Sequence, residues 1–238
     1  MPTRTEREAG VADVPQRTGG HFVLSFDDGP DPLDTPRVLD ALKDADAPGA
    51  FFPIAAKVEQ EPDLTARMVR EGHEVHLHCY DHAGHAEAGR AAVERDTELA
   101  LAVLSDLGIA PRFWRPPWGI VQPWSYDIAA AHGLELTGWS VDTHDWRGDS
   151  PPAMLRRTTP LLVHGAFVLM HDGLGPGALR RACRATAELV APLVDSARAR
   201  GLEPGTLESL GRSPSLDANL VTAIDQRSTT AVATGAVT

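Results

Sequence analysis

The chain has 238 residues, enough for one large α/β domain with a substantial core or for two small domains. It carries 22 Lys and Arg residues against 33 Asp and Glu residues, a formal net charge of −11, so DNA or an anionic membrane surface would meet net repulsion. With no basic stripe to offset this charge, nucleic-acid and membrane partners are disfavoured. Two cysteines, Cys79 and Cys183, exclude a disulfide framework.

The two ends of the chain contain few large apolar residues. We expect residues 1–20 to form a flexible arm and residues 211–238 a flexible tail, because neither can offset its ordering entropy. Residues 21–210 show neither a repeat nor a linker and are expected to form a single domain. Residues 1–20 lack the apolar region of a secretory signal, and no stretch reaches the roughly 18–20 apolar residues of a membrane span. We therefore expect a cytoplasmic protein.

Between the two ends, short apolar segments typical of strands alternate with helical segments. Strands are predicted at 21–26, 50–54, 74–78, 112–114, 134–141 and 166–170. Helices are predicted at 35–45, 62–71, 87–107, 124–132, 152–161 and 177–200. In the 87–107 helix, the spacing of Leu99, Val103, Leu104 and Leu107 predicts that these residues face the core. The alternation predicts a parallel sheet, closed or nearly closed as a barrel, with its functional face at the carboxyl ends of the strands.

Two adjacent carboxylates, Asp27 and Asp28, follow the first predicted strand and precede Gly29 and Pro30. Neighbouring residues at a strand end point in different directions. One carboxylate could therefore ligate a metal while the other faces the substrate as a base. The same four residues also favour a tight turn, and the tetrapeptide alone does not decide between the two.

Five of the ten histidines fall in the short segment 72–85, which spans the third predicted strand and the residues after it. His78 and His82 are four residues apart, which on a helical turn places both on one face. With one carboxylate they would supply three protein ligands and leave positions open for water and substrate, as in catalytic metal sites. Spacing alone does not select the ligands among His73, His76, His78, His82 and His85.

A third cluster, residues 113–119, combines one arginine with two prolines and aromatic residues. Arg115 could pair with a buried carboxylate, and Trp118 could form the wall of a pocket for the apolar face of a sugar. A rigid structural loop explains the same residues.

Two more clusters follow the last two predicted strands. Asp142, Asp145 and Trp146 come after the 134–141 strand, and His171 ends the final strand, where it could give a proton to a leaving amine. Taken alone, each is also consistent with a polar loop or turn. What favours one functional site is that all five clusters follow predicted strands.

The ordered set of clusters resembles the polysaccharide deacetylase family, also called the NodB-homology or carbohydrate esterase family 4 group. The resemblance spans roughly residues 21–210 and includes the connecting segments 51–52, 57–64 and 71–74. It implies a distorted (β/α)7-type barrel in a single domain. It also implies a hydrolase of non-peptide carbon–nitrogen bonds with a divalent metal, zinc first, with cobalt or nickel as alternatives.

The resemblance further implies roles for individual residues. Asp28, His78 and His82 would ligate the metal. Asp27 would be the general base, held in place by Arg115.

On the opposite side of the scissile bond from Asp27, His171 would be the general acid, supported by Asp145 or alternatively by Asp142. The substrate groove would be lined by Trp118, Trp146 and Pro117.

Three residues around the first ligand histidine depart from the family pattern. Leu77 and Cys79 stand where the family usually has Asn and a hydroxyl residue, and His76 stands where it usually has Gly. Because a thiol is a weak hydrogen-bonding group, these changes bear on substrate and metal preference.

The leading hypothesis is removal of an N-acyl group, acetyl first, from an amino sugar, an oligosaccharide or a glycosylated small molecule. One alternative keeps the metal hydrolase but changes its substrate to a non-sugar linear or cyclic amide. Another is a catalytically idle carbohydrate-binding barrel.

Overall fold

The computed structural model describes residues 20–210. The arm and tail predicted at the two ends lie outside these residues, apart from Gly20, and stay predictions.

Eight strands and nine helices are described in this range. The strands are β1 (Gly20–Asp27), β2 (Ala50–Phe52), β3 (Glu74–Val75), β4 (Phe113–Trp114), β5 (Glu135–Leu136), β6 (Val141–Asp142), β7 (Phe167–His171) and β8 (Leu202–Pro204). The helices are α1 (Thr35–Asp44), α2 (Ala55–Gln60), α3 (Pro62–Arg70), α4 (His85–Ala88), α5 (Arg90–Asp106), α6 (Pro123–Ala131), α7 (Pro151–Thr158), α8 (Arg184–Arg198) and α9 (Leu207–Leu210). Short 3-10 turns occupy Pro117–Gly119, Asp145–Arg147 and Thr159–Leu161.

Strand β1 is the centre of the sheet. It pairs in parallel with β2 and β7, and its first three residues pair with β8. The order β6–β7–β1–β2–β3 continues through one bridge, Leu77 to Trp114, to β4, which pairs with β5. Seven parallel strands thus follow one another in chain order around a barrel. Within residues 20–210, no strand pairing joins β5 to β6, and this opening is the distortion of the barrel. The predicted fold class is confirmed.

Alternate residues of β1 face two different apolar cores. Phe22, Leu24 and Phe26 belong to the larger core, together with buried residues of α1 and α8. Val23 belongs to a smaller core whose other members come from β2, β4, β7 and α9. Because both faces of the strand are buried, its sequence is almost continuously apolar until the carboxylates at its end.

The buried face of helix α5 agrees with the predicted one only in part. The buried positions are Val93, Thr97, Ala100 and Leu104, whereas Leu99 is 53% exposed. The prediction was correct for Leu104 and wrong for Leu99, because it followed the largest apolar side chains. The helix instead packs through a face that includes small residues, which allow close approach.

Other differences concern the ends of elements. Helices α2, α4 and α9 and strand β8 were missed, and the strand predicted at 134–141 is two short strands, β5 and β6. The helix predicted from residue 177 begins only at Arg184. Residues 177–183 form a loop that crosses the carboxyl end of β7, with consequences for the site.

Among the described residues, no helix is long and apolar enough to span a membrane. Cys79 and Cys183 are both buried free thiols.

Candidate active site

A cleft of about 470 Å³ opens at the carboxyl ends of the strands. Asp27 and His171, the last residues of β1 and β7, are register partners, so these two side chains start from neighbouring positions on the barrel rim. Both line the cleft, as do Asp28, His78 and His82. The structure therefore brings together the carboxylate pair, the histidine segment and the final histidine.

Asp28, His78 and His82 converge at the floor of this cleft. Oδ1 of Asp28 lies 3.4 Å from Nε2 of His78 and 3.2 Å from Nε2 of His82. One potential ligand atom from each residue lies within 4.8 Å of the other two. Oδ1 of Asp28 and Nε2 of His78 are buried without a hydrogen-bond partner. Unpaired polar atoms destabilise a dry site, and a cation between these two atoms would remove that penalty. One carboxylate and two imidazoles form a donor set that suits a divalent metal.

The backbone around the two histidines aims their rings. Nδ1 of His78 lies 2.6 Å from the carbonyl oxygen of Arg115. A proton on that nitrogen donates to the carbonyl and leaves the lone pair of Nε2 facing Asp28. Burial alone would lower the pKa of His78, but its contact with Asp28 and the charge of Asp27 raise it, so the two carboxylates favour positive charge at this position.

The predicted helical turn that would present both histidines is absent from the described residues 76–84. His82 adopts a left-handed backbone conformation, φ 50°, and its N–H donates to Sγ of Cys79 at 3.2 Å. The i, i+4 spacing was informative, but the reason given for it was wrong.

The other three histidines of the segment lie elsewhere. Nδ1 of His73 accepts the Gly49 N–H at 3.1 Å, and Nδ1 of His85 lies 2.8 Å from the Ser125 hydroxyl. His76 packs edge-on against Phe113 in the barrel interior. Burial lowers the pKa of His85 to about 4 and that of His76 to about 3, so both are neutral near pH 7.

Asp27 is held by a buried arginine. Nη1 of Arg115 donates to Oδ1 of Asp27 at 2.7 Å, and Nη2 donates to the Gly138 carbonyl at 3.1 Å. The guanidinium is fully buried and lies over the Phe52 ring at 4.1 Å. Such a pair is expensive to break, because either partner alone would be an uncompensated buried charge.

His171 is paired with Asp145. Its Nδ1 lies 2.7 Å from Oδ1 of Asp145, and its backbone N–H donates to Oδ2 at 2.9 Å. Burial alone would lower the pKa of His171, but the charge and hydrogen bond of Asp145 raise it to about 9. Asp142, the alternative partner, instead contacts the His144 ring at 3.0 Å and accepts its backbone N–H at 2.6 Å.

Aromatic side chains form part of the wall of the cleft. Trp118, with a left-handed backbone at φ 55°, packs edge-on against His82 at 4.4 Å between ring centroids. Trp146 also lines the cleft, and so does Trp139, which the sequence interpretation did not single out. Pro117 is buried and is not among the described residues that line the cleft, so its predicted contact with substrate has no support in this geometry.

The sequence profile of the polysaccharide deacetylase family matches residues 15–137. A chitooligosaccharide deacetylase of a Bradyrhizobium species (strain ANU 289) is 34% identical over 79% of this chain and 89% of its own length. The chain belongs to the polysaccharide deacetylase family. It is a hydrolase that acts on carbon–nitrogen bonds other than peptide bonds.

Solved structures agree with this assignment. A peptidoglycan N-acetylglucosamine deacetylase superposes with a TM-score of 0.75 at 28% identity, covering 82% of this chain and 89% of the other. A family 4 carbohydrate esterase from Streptomyces lividans, solved with acetate, gives 0.72 at 26% identity, covering 82% and 98%. The chain therefore has both the sequence motifs and the barrel of this deacetylase family.

Two basic residues of this deacetylase site were missed. Nζ of Lys57, on α2, donates to the Asp28 carbonyl at 2.7 Å and to the Leu174 carbonyl at 3.1 Å, and so joins the loops after β1 and β7. Arg180 lines the cleft from the loop before α8. Lys57 begins a connecting segment of the resemblance but sits in a helix the prediction lacked, and Arg180 lies in a segment predicted as helix, so neither was marked as a site residue.

Glycine is required where the loop after β7 passes the Asp28–His78–His82 cluster. A Cβ atom at Gly175 would overlap the Asp28 carboxylate, and one at Gly173 would overlap the Asp28 backbone. The glycines after His171 thus allow this loop to pack directly against the proposed ligand.

Proposed function

We propose that the protein removes an N-acetyl group from an amino sugar, presented in an oligosaccharide or a glycosylated small molecule, with zinc as its metal. The observation that carries the proposal is the arrangement of Asp27 and His171 on neighbouring strand ends beside the Asp28–His78–His82 cluster. A base, an acid and a candidate metal site share one cleft. The named substrates of the relatives, chitooligosaccharide and peptidoglycan N-acetylglucosamine, support an N-acetylated sugar.

Asp28, His78 and His82 would hold the metal. A divalent cation bound there supplies Lewis-acid polarisation of the amide carbonyl and stabilises the negative charge that develops on its oxygen. Zinc is favoured over calcium or magnesium because two of the three ligands are imidazoles.

Asp27 is the proposed general base. The Arg115 guanidinium fixes one of its oxygens, and the aspartate lines the cleft beside the metal ligands. From that position it takes a proton from the attacking water as the oxygen bonds to the carbonyl carbon. Such a role is typically worth ~10²–10⁴-fold in rate.

His171 is the proposed general acid. Asp145 binds its Nδ1 side, so Nε2 is the nitrogen that serves the cleft. With a pKa of about 9, the imidazole is protonated near pH 7 and gives its proton to the departing nitrogen as the carbon–nitrogen bond breaks. Acetate and a free amine are the products.

The test is acetate release by metal-loaded protein across a panel of N-acetylated sugars, with two variants that spare the proposed ligands. Asp27→Asn and His171→Ala should each lower turnover by ~10²–10⁴-fold while metal content, measured by elemental analysis, stays near one equivalent. Substantial turnover in both purified variants would overturn the assignment of base and acid.

The same panel separates the alternatives. Hydrolysis of small linear or cyclic amides without hydrolysis of N-acetylated sugars would identify a non-sugar amidase. Binding of the sugars with metal present but no acetate released would identify an idle barrel.

A further inference from the structure

We propose that Arg180 is a positioning residue for the acid half of the reaction: it fixes Asp145 and the end of β7 so that the His171 imidazole is held toward the substrate nitrogen. This inference rests on the proposed role of His171. Arg180 lies in residues 177–183, which precede α8.

The buried carboxylate of Asp145 divides its contacts between its two oxygens. Oδ1 contacts the His171 ring, whereas Oδ2 accepts from Nη1 of Arg180 at 2.6 Å and from the Thr186 hydroxyl at 2.7 Å. Its side chain is 0% exposed, so a fixed countercharge is needed to keep it ionised. Arg180 supplies that countercharge on the oxygen that His171 Nδ1 does not use.

The other guanidinium nitrogen holds the backbone beside His171. Nη2 of Arg180 lies 3.1 Å from the His171 carbonyl and 3.2 Å from the Gly173 carbonyl. One side chain therefore binds the residue that orients the imidazole and also the chain that carries it. A planar guanidinium can span these acceptors, whereas an ammonium cannot match its geometry.

The loop that carries Arg180 is itself attached to the Asp145 segment. The Leu179 N–H donates to the Trp146 carbonyl at 2.9 Å, and Arg180 is only partly exposed. Thr186, in the first turn of α8, accepts from Nη1 of Arg180 at 2.7 Å and completes the cluster. These contacts place the guanidinium in a defined position behind the imidazole.

The chemistry predicts which reactions depend on Arg180. An amine leaves only after its nitrogen is protonated, so a displaced His171 slows amide cleavage. A 4-nitrophenolate leaves as an anion without that proton. A displaced His171 should therefore slow hydrolysis of an N-acetylated sugar far more than hydrolysis of 4-nitrophenyl acetate.

The first experiment compares Arg180→Gln with Arg180→Lys and with Arg181→Gln, a neighbouring exposed arginine with the same change in charge. We expect R180Q to lower kcat for an N-acetylated chitooligosaccharide about 10- to 100-fold, less than loss of the acid itself. Turnover of 4-nitrophenyl acetate should stay within about threefold, R180K should restore kcat only in part, and R181Q should match wild type.

In a His171→Ala background, R180Q should lower kcat no further, because the effects of coupled residues are not additive. Equal losses on both substrates, or equal effects of R180Q and R181Q, would overturn the proposal.

The second experiment does not depend on catalysis. The Nδ1–H proton of His171, bonded to Asp145, should give a protected low-field NMR signal that is assigned by its loss in His171→Ala. We expect R180Q to broaden or remove this signal and R181Q to preserve it; an unchanged signal in R180Q would refute the positioning role. A wild-type protein that shows the signal but hydrolyses no acetylated substrate would defeat the proposed function alone.

Discussion

At the level of single residues, the proposed acid His171 should determine the alkaline limit of the reaction. Asp145 raises its pKa to about 9 despite burial, so the proposed acid is available across neutral pH and is lost as the pH rises through that value. A cation at Asp28 would oppose protonation, so the alkaline limb of kcat/KM should lie at or below about pH 9 in the loaded enzyme. Asp145→Asn removes the stabilising anion and should move that limb to lower pH. An upward shift, or no shift, in the pH–rate profile would contradict this pairing.

The same shift in the pKa of His171 predicts how stability depends on pH. The folded value of about 9 exceeds the unfolded value of about 6.5, so protonation of His171 favours the folded state. That contribution is complete below about pH 6.5 and disappears as the pH rises toward 9. Denaturant unfolding of the metal-free protein should show wild type losing more stability over this interval than His171→Gln does.

Cys79 replaces a hydroxyl residue of the family pattern, and the structure shows what its sulfur does. Sγ accepts the N–H of His82, which holds a left-handed turn at a proposed metal ligand. A serine hydroxyl can accept the same N–H, so Cys79→Ser should retain metal affinity within a fewfold. Cys79→Val offers no acceptor and should weaken it by about 10- to 100-fold, as loss of a supporting contact typically does. Competition titrations with a metal-binding dye would measure both; equal affinities would show that the sulfur contact is irrelevant.

At the level of secondary-structure elements, α5 gives a direct test of the corrected packing. Leu104 is buried whereas Leu99 is 53% exposed on the same helix. Leu104→Ala should lower the free energy of unfolding by about 2–5 kcal/mol, because it leaves a cavity. The matched Leu99→Ala change should stay within about 0.5 kcal/mol. Equal losses of unfolding free energy in urea titrations would instead support the face first predicted from sequence, in which Leu99 is buried.

The ends of the strands were more predictable than the helix faces. Asp27 and His171 each follow an apolar strand, and parallel strands bring such residues to one rim, so chain order alone placed them together. The turn at His82 depends on a sulfur contact and a left-handed backbone that no periodicity encodes. Arg180 could not be predicted for a related reason. Its proposed role depends on where a loop crosses the barrel, and tertiary contacts such as the one with Asp145 decide that position.

For the molecule as a whole, the metal site should join parts of the barrel that are distant in sequence. Asp28 follows β1, whereas His78 and His82 follow β3 and contact the Arg115 segment through the His78 ring. A ligand that binds only the folded state adds RT ln(1 + [L]/Kd), about 4 kcal/mol at a thousandfold excess over Kd. For a protein of this size that corresponds to a rise in Tm of roughly 8–16 °C. Added zinc should therefore stabilise chelator-treated wild type by about this amount.

Two variants separate this linkage from nonspecific binding. His78→Ala removes a proposed ligand and should abolish most of the zinc-dependent rise in Tm. His144→Gln changes a histidine that contacts Asp142, outside the cluster, and should leave the rise intact. A rise in Tm that survives in His78→Ala would mean that zinc stabilises the protein elsewhere. The buried partnerless atoms of Asp28 and His78 would then need another explanation, because leaving them unpaired destabilises the fold that they join.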